Sequence, residues 1–204
     1  MPELSVARLV EEKGESFQFE VLTKSWRHGQ PITVSDVNRP GLALAGFSEN
    51  FLSERIQILG ETEMLFLETL SEPERHRAID RLLELDIPCL IIAKDLEYDA
   101  YLMTEADRKG IPVLRTPQST TPFIHGLTEY LDQYFAPRTS IHGTLVDVYG
   151  VGLLITGSAG IGKSELALDL IERGHRLVAD DLIIVTRRHN LLYGEPPDRL
   201  KYLM

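Results

Sequence analysis

Residues Gly157-Ser158-Ala159-Gly160-Ile161-Gly162-Lys163-Ser164 hold the spacing G-x-x-x-x-G-K-[ST]. An apolar run, Val151 to Thr156, comes before them, and a segment rich in helix formers, Glu165 to Arg173, comes after. The stretch therefore reads strand, loop, helix, the context in which this spacing folds backbone N–H groups around phosphate. Glycines at 157, 160 and 162 let the chain take left-handed angles, so that successive amides point inward as an anion nest. A helix opening near Lys163 adds its positive end. In such a loop Lys163 reaches the outer phosphates and the Ser164 hydroxyl takes one place on Mg²⁺. The plain alternative is a glycine turn carrying a surface lysine, and the flanking pattern argues against it. The sequence thus predicts an α/β protein that binds a phosphorylated nucleotide.

With 204 residues, 43% of them hydrophobic, the chain can bury one large core or two small ones. Two domains are expected. Acidic residues number 31 against 21 Lys and Arg, giving a formal charge of −10, and the basic residues are scattered. That pattern excludes a nucleic-acid footprint. Cys89 is the one cysteine, so no internal disulfide can form, which fits a reducing compartment. It sits in Pro88-Cys89-Leu90-Ile91-Ile92-Ala93, where a buried structural thiol is expected. Residues 1–8 lack a cationic stretch leading into an apolar core, and no run approaches the roughly 18 apolar residues of a membrane span. A soluble, cytoplasmic protein without membrane contact is the expectation.

Residues 1–136 alternate short apolar runs with helical periodicity, an α/β signature. Ser71 offers an N-cap for a helix to about Leu85 with Ile79, Leu82 and Leu83 on one face, and Pro88 marks its end. Leu90 to Ala93 reads as a buried strand, Tyr98 to Lys109 as a helix closed by Gly110, and Ile111 to Leu114 as a second strand, so parallel pairing is expected. Thr121-Pro122 supplies an N-cap and first-turn proline for a helix whose Phe123, Leu127, Tyr130, Leu131 and Tyr134 face a core. Ala136-Pro137-Arg138-Thr139 reads as a linker, which places a second domain at 137–204. There, Ile141 to Tyr149 and Val151 to Thr156 read as strands meeting near Gly150, and the helix after the loop ends at Gly174.

The run His175 to Val185 is strand-like on both sides of Asp180-Asp181. In phosphate-loop enzymes one acid holds Mg²⁺, directly or through water, and a kinase needs another to accept the proton of the substrate hydroxyl. Successive strand residues point to opposite faces, so both aspartates reach one site only if the chain turns there or one works through water. An acidic turn between two strands is the other reading. His142 opens the strand pair leading into the loop, which would set an imidazole beside phosphate; a histidine with no role beyond the strand is the alternative. His28, His76, His125, His175 and His189 show no ligand spacing, and no zinc site is predicted.

Three blocks then resemble the bacterial HPr kinase/phosphorylase family: Ser140 to Gly150, the loop through Lys163-Ser164-Glu165, and Arg173 to Asp181. Asn38 to Gly46 and Arg55 to Gly60 are similar to the same family, so the resemblance covers nearly the whole chain. It implies an enzyme that phosphorylates a serine of the phosphocarrier HPr with ATP or pyrophosphate and reverses the reaction by phosphorolysis, with Mg²⁺ as the metal. It implies that Asp181 takes the serine proton, with Asp180 beside it, that His142 and Lys163 are active residues, and that Ser164 is a Mg²⁺ ligand. It also implies an N-terminal domain like the substrate domain of Mur ligases, a kinase domain similar to phosphoenolpyruvate carboxykinase, and a homohexamer.

The sequence departs from that pattern in two places. Ser158-Ala159 stands where an acidic or polar residue followed by serine is expected, which keeps the glycine frame but alters hydroxyl contacts near phosphate. Lys201-Tyr202-Leu203-Met204 also precedes the point where the family's Glu-Ile-Arg-Gly-Leu-Gly signature begins, so a fragment or shortened product with poor catalysis is expected. The 65 residues from Ser140 to Met204 are few for a nucleotide-binding domain with both faces of a parallel sheet covered. Rival readings are a phosphate-loop ATPase or small-molecule kinase, and a noncatalytic oligomerisation or binding fragment.

Overall fold

The computed structural model describes residues 2–24 and 29–197; His28 and Lys201 to Met204 lie outside the described residues. The chain divides into two compact units, Met1–Phe135 and Ala136–Met204.

The first unit is built on a five-stranded sheet in the order β1-β5-β4-β3-β2. Strands β2 (Val37–Asn38), β3 (Ile56–Leu59), β4 (Leu90–Ile92) and β5 (Val113–Arg115) run parallel, and β1 (Glu20–Val21) pairs antiparallel with β5. Every residue of β3 and β4 is buried, as expected for strands covered on both faces. Alternation assigns Leu59, Leu90 and Ile92 to one face, under α2 (Gly41–Leu44), α3 (Glu61–Thr69), α4 (Glu72–Leu83) and α5 (Ala100–Lys109). Ile56, Ile58, Cys89 and Ile91 fall on the other, under α1 (Val6–Phe17) and α6 (Thr120–Phe135). Cys89 is fully buried, and burial pushes its thiol up to about 12, which leaves it unreactive at neutral pH.

The helices follow their end signals. Glu74 of α4 reaches back to the Ser71 backbone N–H, completing a capping box. Asp99 caps α5 by accepting from the Tyr101 N–H at 2.8 Å, and Gly110 ends that helix in the left-handed region at φ 70°. One expectation needs correction. Helix α6 starts at Thr120, with the Phe123 N–H donating to the Ser119 carbonyl, so Thr121 and Pro122 lie inside its first turn. Proline fits there because first-turn N–H groups have no intrahelical acceptor to lose.

The second unit is a four-stranded antiparallel sheet in the order β7-β6-β8-β9, where β9 is Leu191–Glu195, with α7 (Lys163–Glu172) packed on β6 and β8. Strand β6 (Arg138–Val148) begins within the stretch read as a linker, because Arg138 and Thr139 pair with Thr186 and Val185 of β8 (Arg176–Arg188). It turns into β7 (Val151–Ile155) through Tyr149-Gly150, both at positive φ, the geometry of a two-residue hairpin. No parallel pair occurs among the described residues of this unit, contrary to the sheet expected around a phosphate loop. Its core is thin: the buried cluster is Leu145, Ala179 and Ile183, and Leu166, Leu168 and Ile171 of α7 stay exposed.

Candidate active site

The phosphate loop leaves β7 after Ile155 and feeds α7 at Lys163. Gly157, Gly160 and Gly162 have φ of 153°, 77° and 97°, a left-handed path that a Cβ would strain. Gly162 is the N-cap of α7 and no side chain caps that end, so the first-turn amides remain open to an anion. Ser158, Ala159, Ile161 and Ser164 are exposed along the rim. The Lys163 ammonium folds back over the loop, donating to the carbonyls of Gly157 at 3.0 Å and Ser158 at 2.8 Å. Those two bonds hold it at the mouth of the nest.

The sheet sets the acids beside this loop. One row across it reads Ile155 on β7, Thr144 on β6 and Asp180 on β8. Two strand spacings put Asp180 about 10 Å from Ile155, and the loop begins two residues further on. The chain is still beside β6 one residue later, since a Cβ on Gly143 would lie 3.3 Å from Thr156 Cγ2. The loop at the end of β7 and the two aspartates on β8 thus flank β6, which carries His142.

Asp180 and Asp181 lie in a continuous strand, not a turn. Regular alternation would send Asp181 to the face of Leu145, Ala179 and Ile183, away from His142 and Asp180. The backbone answers with φ of 71° at Asp181, a left-handed angle inside β8. The Asp181 carboxylate thereby comes 3.5 Å from His142 Nδ1, and the same nitrogen lies 3.1 Å from the Asp181 carbonyl oxygen. A carbonyl oxygen only accepts, so this pairing assigns the proton to Nδ1 and leaves Nε2 open. The His142 and Asp181 side chains are 81% and 91% exposed, accessible to a substrate. Asp180 is held separately: the Thr144 hydroxyl donates to its Oδ1 at 2.7 Å.

These residues decide what the site can be compared with. The family model for the HPr serine kinase N terminus matches residues 4–131, and that for the HPr serine kinase C-terminal domain matches residues 133–204. The chain belongs to the HPr serine kinase family. It is 44% identical over 191 residues to an HPr kinase/phosphorylase of Shouchella clausii, covering 93% of this chain and 62% of that protein. It is 46% identical over 189 residues to one of Clostridium perfringens, covering 93% and 61%. A solved HPr(Ser) kinase/phosphatase from Coxiella burnetii is 47% identical over 29% of this chain and 36% of its own, with a TM-score of 0.28. The chain therefore spans about three-fifths of the length of the curated relatives it matches.

Two residues of this HPr kinase family chain escaped the sequence reading. Thr144, 3% exposed, holds Asp180, and its position two residues after His142 on the same strand face was the available signal. Gly143 pairs with Asp181, and a Cβ on it would lie 2.5 Å from the Ile155 carbonyl oxygen. A glycine inside a strand often marks such a close approach. Of the other described histidines, His76 stacks on Tyr101 with ring centres 3.8 Å apart, and His175 meets Tyr149 edge to face.

Proposed function

We propose that the chain carries the phosphoryl-transfer site of an enzyme that phosphorylates a serine of HPr from ATP or pyrophosphate and reverses the reaction with inorganic phosphate. The observation that carries this reading is the arrangement across one sheet: a phosphate loop at the end of β7, and two strands away an aspartate turned by its own left-handed backbone toward His142. The relatives named HPr kinase/phosphorylase support the substrate.

In the forward direction the serine Oγ forms a bond to the terminal phosphorus of the donor while the bridging P–O bond breaks, and Asp181 takes the serine proton. In reverse, an oxygen of inorganic phosphate attacks phosphoserine, the serine oxygen leaves, and Asp181 returns the proton. Lys163 exchanges its two loop carbonyls for phosphate oxygens, and the open amides of α7 receive another. His142, with Nδ1 engaged by Asp181, donates to a phosphate oxygen through Nε2–H when the ring is the imidazolium, in which both nitrogens are donors.

The hydroxyl of Ser164 and the carboxylate of Asp180 are hard oxygen donors of the kind Mg²⁺ prefers. When bound, the ion neutralises charge on the phosphates. No cluster of three or more His, Cys, Asp or Glu suited to a metal occurs among the described residues, which fits an ion held mainly by phosphate and water. The finer fold reading is that the first unit is like the substrate domain of Mur ligases and the second like phosphoenolpyruvate carboxykinase. A cytoplasmic homohexamer completes the proposal; no helix among the described residues is long and apolar enough to cross a membrane.

The test is to incubate the protein with HPr, ATP and Mg²⁺ and follow phosphoserine by mass spectrometry, then add inorganic phosphate. The expected result is one phosphate on HPr, lost again with release of pyrophosphate. ATP turnover that leaves HPr unmodified would overturn the reading in favour of an ATPase or small-molecule kinase.

A further inference from the structure

The first unit holds a second polar cleft, at the carboxyl ends of its parallel strands. After β3 and β4 the chain passes to α3 and α5 on one face of the sheet, whereas after β5 it passes to α6 on the other. The connections therefore divide above β4, the place where open α/β sheets form binding crevices. The cleft there has a volume of about 280 Å³ and is lined by Arg39, Glu61, Thr62, Lys94 and residues 119–122.

Two cations from different strand ends reach it. Arg39 follows β2 and pairs with Glu63; Lys94 follows β4 and gives one bond to Glu61 at 2.5 Å. A guanidinium carries five N–H donors and an ammonium three, so both keep donors for a ligand. Gly60 makes room for this convergence: a Cβ there would lie 2.8 Å from Arg39 Nη2 and 3.0 Å from Thr120 Oγ1. Ser119, Thr120, Thr121 and Pro122 form a third side.

The two acids differ in freedom. Glu63 is 4% exposed and fixed behind Arg39, where it also accepts the Gly60 N–H at 3.0 Å. Glu61 is at the rim with its side chain 58% exposed, and a surface ion pair is a weak lock. Its release frees the Lys94 ammonium, which lines the cleft together with Arg39. A tetrahedral dianion can meet donors on three sides at once, which a planar carboxylate cannot.

We infer that this cleft binds the phosphate group of a small phosphomonoester. The inference goes beyond the proposed reaction, since it concerns the first unit and stands whether or not the loop transfers phosphate. Titrating inorganic phosphate into the ¹⁵N-labelled chain tests it at constant ionic strength. The amides of Gly60, Glu61, Thr62, Ser119, Thr120 and Thr121 are expected to shift saturably, with loss of those shifts in Lys94→Gln and Arg39→Gln. The remaining spectrum reports that each variant is folded, and Lys94→Gln removes only an exposed pair. Shifts at 157–164 report the loop separately and disappear in Lys163→Ala, which should leave the cleft unchanged. Cleft amides that stay still, that respond equally to chloride, or that shift undiminished in Lys94→Gln would overturn the inference.

Discussion

Asp181→Asn is expected to slow phosphoryl transfer to HPr by about 10²–10⁴-fold, the range over which positioned acid–base groups contribute. The amide keeps the shape of the side chain but cannot take the serine proton. Asparagine tolerates left-handed angles at least as readily as aspartate, so φ near 71° at this position survives the exchange. Nucleotide affinity should therefore change by less than about threefold, since the loop lies on the far side of β6. Single-turnover rates with saturating ATP, set beside calorimetric affinities, separate the two effects. Transfer at an undiminished rate would remove Asp181 from the chemistry. A hydrophobic substitution would be a poorer probe, because a residue held at positive φ inside a strand costs about 1–3 kcal/mol unless its side chain suits that conformation.

Gly143→Ala is expected to damage the site from a position that touches no substrate. Its Cβ would meet a backbone carbonyl, Ile155, at 2.5 Å, and a carbonyl in a paired strand cannot rotate aside as a side chain would. Strands β6 and β7 must separate, at about 1–3 kcal/mol by analogy with overpacked cores. Ile155 leads into the phosphate loop and Gly143 is the pairing partner of Asp181, so both halves of the site move. The second unit has few buried apolar residues with which to absorb the change. Urea unfolding followed by far-ultraviolet circular dichroism should show an earlier transition, and pyrophosphate affinity should fall with it. A variant as stable as the parent and equally able to bind would show that the strands are not held this tightly.

The parts of this fold legible in the sequence are those fixed by local rules. Ser71 and Gly110 mark helix ends because capping and left-handed closure depend on a few neighbouring atoms, whereas the cap at Asp99 falls one residue inside the helix read from Tyr98. The apolar runs at Leu90 and Val113 announce strands covered on both faces. The phosphate loop is legible because three glycines at set intervals have little other use. Less legible was what depends on distant partners. Nothing local says that Arg138 pairs with Thr186 and so belongs to β6 instead of a linker. Nor does Asp180-Asp181 reveal whether the chain turns or continues; the answer lies in the Gly143 and Thr144 pairs across the sheet. The left-handed angle at Asp181 carries no glycine to advertise it, and this angle brings the carboxylate to His142. The cleft above β4 was invisible for the same reason, since Arg39, Lys94 and Thr120 are far apart in sequence and meet only at the ends of parallel strands.

Calorimetric titration of magnesium pyrophosphate into the chain tests the central claim most directly, carried out in a Lys94→Gln background so that the cleft of the first unit does not contribute. The expected result is saturable binding at one site. Adding Lys163→Ala should weaken it about 10- to 100-fold, the loss of one charge-assisted bond to phosphate at about 1.5–3 kcal/mol. Absence of heat, or an affinity that ignores the lysine, would mean that the glycine loop before α7 is not a polyphosphate site, and the account built on it would fail.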